Sequence, residues 1–242
     1  MIRLHHAGPS AASLRIAIAL EVLGLDYTPH RIDLAGLENW SDSHRRLDRD
    51  GNVPVLEVDG ACFGDSAIAL LYLAESHAGF ALLPADPAER YDAQTMIDRL
   101  DGFLLESVDR IGWTGTMPAD DRAAFLQALE AVPTRPNLSG WSAVWRDAET
   151  DVLARARDKI ADGLTLIEDA LASEQWLTHG GFGVADIAAI ALTRTVPELL
   201  SDDDIEGRWP RFMAWRTRLA ERTEVRRAVE RLRPGPDFAP PR

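Results

Sequence analysis

The sequence predicts a small α/β domain followed by an all-helical domain, and three observations predict it. Over residues 1–78, short β-like runs alternate with helical periodicity. Beyond the proline-punctuated "GFALLPADPAER" (79–90) the strand signals stop. From there on, apolar residues recur at three- and four-residue spacing over long stretches, as amphipathic helices require. The domains are therefore expected at 1–78 and 88–242, joined by a linker at 79–87.

Each element follows from its local pattern. "IRL" is a first strand, and "AGPSAASLR" (7–15) turns at Gly8-Pro9 into the helical run "ASLRIAIALEVLG". "DYTPHRID" is a second strand, followed by a polar connecting segment. "VPVLEVDGACFG" reads as a β-hairpin turning at Asp59-Gly60, a dipeptide suited to positive φ. "DSAIALLYLAESHAG" is a helix, and "AERYDAQTMIDRLDGFLLESVDRIGW" and "RDAETDVLARARDKIADGLTLIEDALAS" are the long helices of the second domain.

Composition narrows the function. The 242 residues are 46% hydrophobic, enough for one large or two small cores. A net charge of −13, with acids and bases interspersed, argues against nucleic acid and against an anionic membrane surface as partners. The single cysteine, Cys62, excludes an internal disulfide, a CxxC pair or a multi-cysteine zinc site, so no metal is expected. No apolar signal region or uninterrupted membrane span is present, and a cytoplasmic location is expected.

Three local features carry chemistry. Pro54 opens a β-run and belongs at a strand start or edge, where its missing N–H is not needed. The Val53-Pro54 bond is either trans or cis, and a cis bond presents the Val53 backbone to an extended peptide ligand. Asp65-Ser66 starts a helix. The pair either caps it or also binds a ligand carrying a carboxylate and an ammonium. Ser10 and Ser13 stand where the first helix begins, Ser10 as an N-cap. His5 and His6 are acid–base candidates, although a central strand more often points such residues into packing.

Taken in order, the βαβ unit, "NVPVL", the hairpin, "DS", the linker and the helical domain resemble the glutathione S-transferase superfamily across nearly the whole chain. The resemblance implies a thioredoxin-like first domain, a cis Pro54, and glutathione as co-substrate, bound by Asn52, Val53, Pro54, Asp65 and Ser66. Val53 would pair with the cysteinyl unit, and Asp65-Ser66 would hold the γ-glutamyl end. It also implies a homodimer. "GFGVADIAAIAL" looks like the family's buried helix start, except that Gly183 stands where a hydroxyl residue is usual, so half of a capping box is expected to be lost while Asp186 keeps the acid.

Two further departures concern the glutathione side. Asp48-Arg49 replace an Asn-Pro, which puts in doubt any role of residue 48 in orienting glutathione. Trp40 stands where relatives place a polar residue near the glycine carboxylate. Its indole either donates there or packs against a neighbouring subunit, and Arg45 or Arg46 either supplies charge nearby or is simply solvated.

Within the superfamily, "AGPSAASLR" through "NVPVLEVDG", "DRIGW" (109–113) and the insertion "VPTRPNLSGWSAVWRDAE" are similar to bacterial β-etherases, glutathione-dependent enzymes that cleave β-aryl ethers of lignin-derived compounds. This implies a hydrophobic aromatic electrophile. Phe103, Trp113, Trp141 and Trp145 are candidates to line its pocket, core packing being the other account of each.

A free thiol titrates near ~8.5, so the site must favour thiolate, and a helix N-terminus with hydroxyl donors does so. The resemblance ranks Ser13 ahead of Ser10 as that donor. Cys62 is not at the first helix start, which disfavours a cysteine-type enzyme. The other functional readings are a generic detoxifying transferase or peroxidase and a non-catalytic binding protein of the same fold.

Overall fold

The computed structural model describes residues 1–77, 82–116, 119–132, 150–200 and 204–233. Four strands, β1 (Ile2–His6), β2 (Thr28–Arg31), β3 (Val55–Val58) and β4 (Ala61–Phe63), form one sheet in the order β2-β1-β3-β4. β1 runs parallel to β2, with Leu4 opposite Pro29, and antiparallel to β3, with Leu4 opposite Leu56. The β3–β4 hairpin turns at Asp59 and Gly60, both at positive φ (50° and 89°), as a two-residue turn of matching twist requires.

Helix α1 (Ala11–Val22) connects β1 to β2, and α2 (Ser66–His77) follows β4. This is the thioredoxin-like arrangement that the resemblance implies. The polar connecting segment, which has no apolar period, folds as two 3₁₀ turns, Glu38–Trp40 and His44–Arg46.

The remaining elements are helical. α3 (Pro87–Leu100) starts with proline at its first position and Asp86 as N-cap, whose Oδ1 accepts from Ala88 N (2.8 Å) and Glu89 N (3.1 Å). A π turn, Asp101–Leu105, joins it to α4 (Glu106–Thr116). Then come α5 (Ala119–Glu130), α6 (Thr150–Ala170), α7 (Val184–Thr193), the short α8 (Val196–Leu199) and α9 (Ile205–Arg208), α10 (Pro210–Ala220) and α11 (Thr223–Leu232). The linker expected at 79–87 lies partly outside the described residues.

The core runs through both halves. α1 is apolar on nearly every face because it is covered from all sides: α2 packs on it from the sheet domain, and α7 and α11 from the helical one. α7 is buried along its whole length. Arg231 of α11 ties the halves together: it donates to Glu21 (3.0 Å) and to Tyr27 O (3.2 Å) and lies over the Tyr27 ring.

The start of α7 corrects one expectation. The capping hydroxyl is not lost; Thr178 supplies it, its Oγ1 accepting Ala185 N–H at 3.1 Å. A Cβ on Gly183 would lie 2.6 Å from both Leu82 O and Thr178 Cγ2, so glycine is required by what packs on it. Asp186 is fully buried and accepts from Leu177 N, Thr178 N, Gly183 N and Trp215 Nε1, at 2.9 to 3.2 Å.

Candidate active site

Three segments meet at the ends of the sheet elements, and each is built by its own local chemistry. At the first, Gly8 (φ +75°) and Pro9 turn the chain from β1 into α1, with Ser10 in extended geometry as N-cap. Ser10 Oγ accepts from Ser13 N (3.4 Å) and donates to Ser13 Oγ (2.9 Å), which also receives the Ala7 N–H (3.3 Å). Ser10 is half-buried, whereas Ser13 is 0% exposed. Of the two hydroxyls at this helix start, Ser10 is therefore the more accessible. The first turn of α1 carries no acidic side chain, leaving the positive end of its dipole uncompensated.

The second segment is the loop before β3. The Val53-Pro54 bond is cis. Asp48 holds the loop from inside: its Oδ1 accepts from Asp50 N (3.0 Å) and Asn52 N (2.9 Å). Asn39 Nδ2 donates to Gly51 O (3.0 Å), and His44 Nε2 donates to Asn52 O (2.8 Å). A Cβ on Gly64 would fall 1.9 Å from Asp48 Oδ2, so the chain just after β4 packs directly on this carboxylate. The residue whose role the sequence left in doubt orders the backbone of Asn52 and, through it, Val53. Asn39 and His44 were not legible as site residues; their signal is burial of polar groups within a polar stretch.

The third segment is the start of α2. Asp65 Oδ1 accepts from Ala67 N (2.8 Å) and Ile68 N (2.9 Å). Capping uses one carboxylate oxygen, which leaves the capping and ligand-binding readings compatible. Ser66 Oγ accepts from Arg15 Nη1 (3.2 Å), which leaves its own proton available to donate. Arg15, itself fully buried, makes a two-pronged ion pair with Asp101 in the π turn, Nη1 lying 3.0 Å from Oδ2 and Nη2 bonding Oδ1. Helix α1, the start of α2 and the helical domain are thus joined through one guanidinium.

The other candidates are placed as follows. Trp40 is buried against Phe125 and Leu129 of α5, and its ring lies 3.0 Å from where a Cβ on Gly51 would be. This burial packs the loop against α5. Phe103 is half-buried against the core, its base close to Gly163 of α6. The Trp113 side chain, Trp141 and Trp145 lie outside the described residues. His5 and His6 are buried. His5 Nε2 donates to Glu57 (3.1 Å), while His6 Nδ1 accepts the Gly8 N–H (3.0 Å) and burial lowers its pKa to about 4.

Asp109, on α4, is a group that the sequence did not single out. Burial alone pushes its carboxyl up to about 7. Its folded pKa lies above the unfolded value near ~3.9, so ionising it costs stability progressively as pH rises between those two values. Asp109→Asn removes that cost. Its melting-temperature advantage over the parent is expected to widen from pH 4 to pH 8, and an advantage independent of pH would show that the carboxyl is not desolvated.

Comparison with known proteins agrees with this geometry. The family model described as glutathione S-transferase, N-terminal domain, matches residues 4–81, and the one described as glutathione S-transferase, C-terminal domain, matches residues 139–223. Protein LigF of Sphingobium sp. (strain NBRC 103272 / SYK-6) is 23% identical over 95% of this chain and 93% of its own. The crystal structure of that protein, described as a beta-etherase, superposes with a TM-score of 0.81 over 95% of this chain and 98% of its own, at 23% identity. The tetrachloro-p-hydroquinone reductive dehalogenase of Sphingobium chlorophenolicum is 24% identical over 98% of this chain and 97% of its own. The glutathione transferase URE2P8 of Phanerochaete chrysosporium, solved with oxidized glutathione, superposes with a TM-score of 0.77 over 95% of this chain and 94% of its own, at 18% identity. With both domain models matched in order on a sheet and a helical bundle of this topology, the chain belongs to the glutathione S-transferase family.

Proposed function

We propose that this chain binds glutathione across Asn52, Val53, Pro54, Asp65 and Ser66 and activates its thiol at the start of α1. We further propose that it uses the thiolate to displace a phenol from an α-keto β-aryl ether. The observation that carries the first part is the α1 N-terminus: Ser10 half-exposed as N-cap, and no acid in the first turn to offset the dipole. Ser10 is the donor to the sulfur. Ser13, enclosed behind it, positions it: when both hydroxyls turn, Ser13 donates to Ser10 Oγ and the Ser10 proton points outward. The second part is supported by the end-to-end likeness to LigF.

In the reaction the sulfur attacks the carbon beside the ketone. A C–S bond forms, the ether C–O bond breaks, and the electron pair leaves on the phenoxide, which takes up a proton to give phenol. The products are a glutathione thioether and one phenol, with inversion at the attacked carbon. The ketone activates that carbon, so the protein's contribution is positioning and thiolate stabilisation. The exposed Ile68 (59%) on α2 and Tyr91 (67%) on α3 support pairing of two copies. The single cysteine and the need for reduced glutathione support a cytoplasmic setting.

The likeness to the reductive dehalogenase favours a second reading, attack of the same thiolate on a different aromatic electrophile. Incubation with glutathione and each enantiomer of an α-keto β-aryl ether separates the two. The expected result is one phenol released per glutathione consumed, with one enantiomer preferred. Retention on glutathione resin with no phenol from either enantiomer would remove the ether-cleavage reading and leave the general transferase one.

A further inference from the structure

Where a sheet face is covered it is usually packed with apolar side chains, but one face of this sheet carries a file of imidazoles. Arg3 and His5 alternate onto it from β1, His30 of β2 stands opposite His5, and Glu57 of β3 stands opposite Arg3. His44, in the 3₁₀ turn ahead of the Val53-Pro54 loop, packs onto His5. The His5 ring meets the His30 ring edge-on at 5.1 Å and the His44 ring at 6.4 Å. His5 and His44 are 5% and 2% exposed, whereas His30 lies open to solvent.

Each buried ring is satisfied at one nitrogen. His5 Nε2 donates to Glu57 (3.1 Å), which also pairs with Arg3 (3.2 Å), and His44 Nε2 donates to Asn52 O (2.8 Å). Nδ1 of His5 and Nδ1 of His44 are both enclosed, without a hydrogen-bond partner among the described residues. A neutral imidazole bears this, because that nitrogen carries no proton; an imidazolium has an N–H at both positions and strands one of them. The surroundings do little to offset such a charge. Burial, foremost, and the like charges of His30 and His44 lower the His5 pKa, with Glu57 opposing. On the loop side, Asp48 is taken up by the N–H groups of Asp50 and Asn52, and Arg45 and Arg46 adjoin His44 in its own turn, Arg45 facing Asp42 at 3.7 Å. Burial and the nearby Glu57 and Asp48 push the Cys62 thiol up, so it adds no charge. His6, next along β1, accepts the Gly8 N–H; burial, with Arg31 among the charges near it, holds it at about 4.

The Asn52 C=O and the Val53 N–H belong to one planar peptide unit, so whatever holds the carbonyl also aims the N–H. Resting on the glutathione reading above, we infer that His44 is a positioning residue for the cysteinyl unit: through Asn52 O it sets the peptide plane carrying the Val53 N–H, and it does so only while His44 and His5 are uncharged. Acid then releases the loop and weakens glutathione binding without any titration of the glutathione thiol. The released loop exposes both rings, which take up protons near the ordinary ~6.5, and the ordered loop excludes them. Binding that needs the ordered loop therefore weakens as pH falls below that value, by at most about tenfold per pH unit for each proton.

The test is a calorimetric titration of the full chain with S-methylglutathione, which has no thiol to ionise, at pH 7.5 and at pH 5.5. The readout is the ratio of the Kd at pH 5.5 to that at pH 7.5, expected to be about fivefold or more in the parent. His5→Gln keeps a donor for Glu57, and His44→Gln keeps one for Asn52 O, but neither can take up a proton; each should at least halve the ratio, and His5→Gln/His44→Gln should bring it near one. His44→Leu removes the donor and should weaken binding at both pH values. His30→Gln, at an exposed position and so without consequence for packing, should lower the ratio partway by removing one like charge from His5. A parent ratio near one, or a ratio unchanged in the glutamine variants, would overturn the role of the histidines and leave the glutathione reading standing. Absence of binding at pH 7.5 would overturn both.

Discussion

Asp186→Ala is expected to abolish accumulation of folded protein at 37 °C. The carboxylate receives three backbone N–H groups and the Trp215 indole, all buried, and alanine leaves all four without an acceptor. At ~1–3 kcal/mol for each stranded donor, the loss exceeds ~4 kcal/mol, a large part of a typical domain's ~5–15 kcal/mol. Asp186→Asn should fall between. One oxygen still takes Leu177 and Trp215, while the amide turns its own N–H groups toward those of Thr178 and Gly183. Thr178→Val removes a single capping bond and should cost only about 1 kcal/mol. Chemical denaturation of the three variants checks the order; an Asp186→Ala protein as stable as Thr178→Val would refute the account of this helix start.

The second large effect is at Asp101. Asp101→Ala leaves the Arg15 guanidinium buried without its counter-charge, which costs ~3–5 kcal/mol. For a chain of this size that is a fall of roughly 10 °C in Tm. Glutathione retention should fall too, because Arg15 fixes the Ser66 hydroxyl. Arg15→Met/Asp101→Leu separates the two consequences. An apolar pair should recover most of the stability while retention stays low, since Ser66 has still lost its donor. If retention returns along with stability, Arg15 has only a packing role.

The fold was legible wherever periodicity or punctuation carried it. The alternation and the Asp59-Gly60 turn place β1, β3 and β4, and the apolar period from "AERYDAQ" places α3 to within one residue of its start. The 3₁₀ turns at 38–40 and 44–46 were not legible, because their order comes from Asn39 and His44 bonding a distant loop rather than from any local pattern. The same reason hid the work of Asp48 and the relocation of the α7 capping hydroxyl to Thr178, five residues ahead of Gly183.

Side-chain direction was the other blind spot. Ser10 and Ser13 are three apart on one helix start, and sequence spacing does not say which faces out; burial does. Trp40 reads from sequence as an exposed aromatic because the helix that covers it, α5, lies about eighty residues further along the chain.

The central claim is that the start of α1 stabilises the thiolate of glutathione, with Ser10 donating to the sulfur. The pKa of the bound thiol, followed through the ultraviolet absorbance of the thiolate in the binary complex, tests it directly. The account predicts a value at least about one unit below the free thiol's ~8.5 in the parent chain. In Ser10→Ala it should return partway, because the backbone N–H groups and the helix dipole remain. A bound thiol that titrates like the free one, or a lowered value unchanged in a well-folded Ser10→Ala variant, would contradict it.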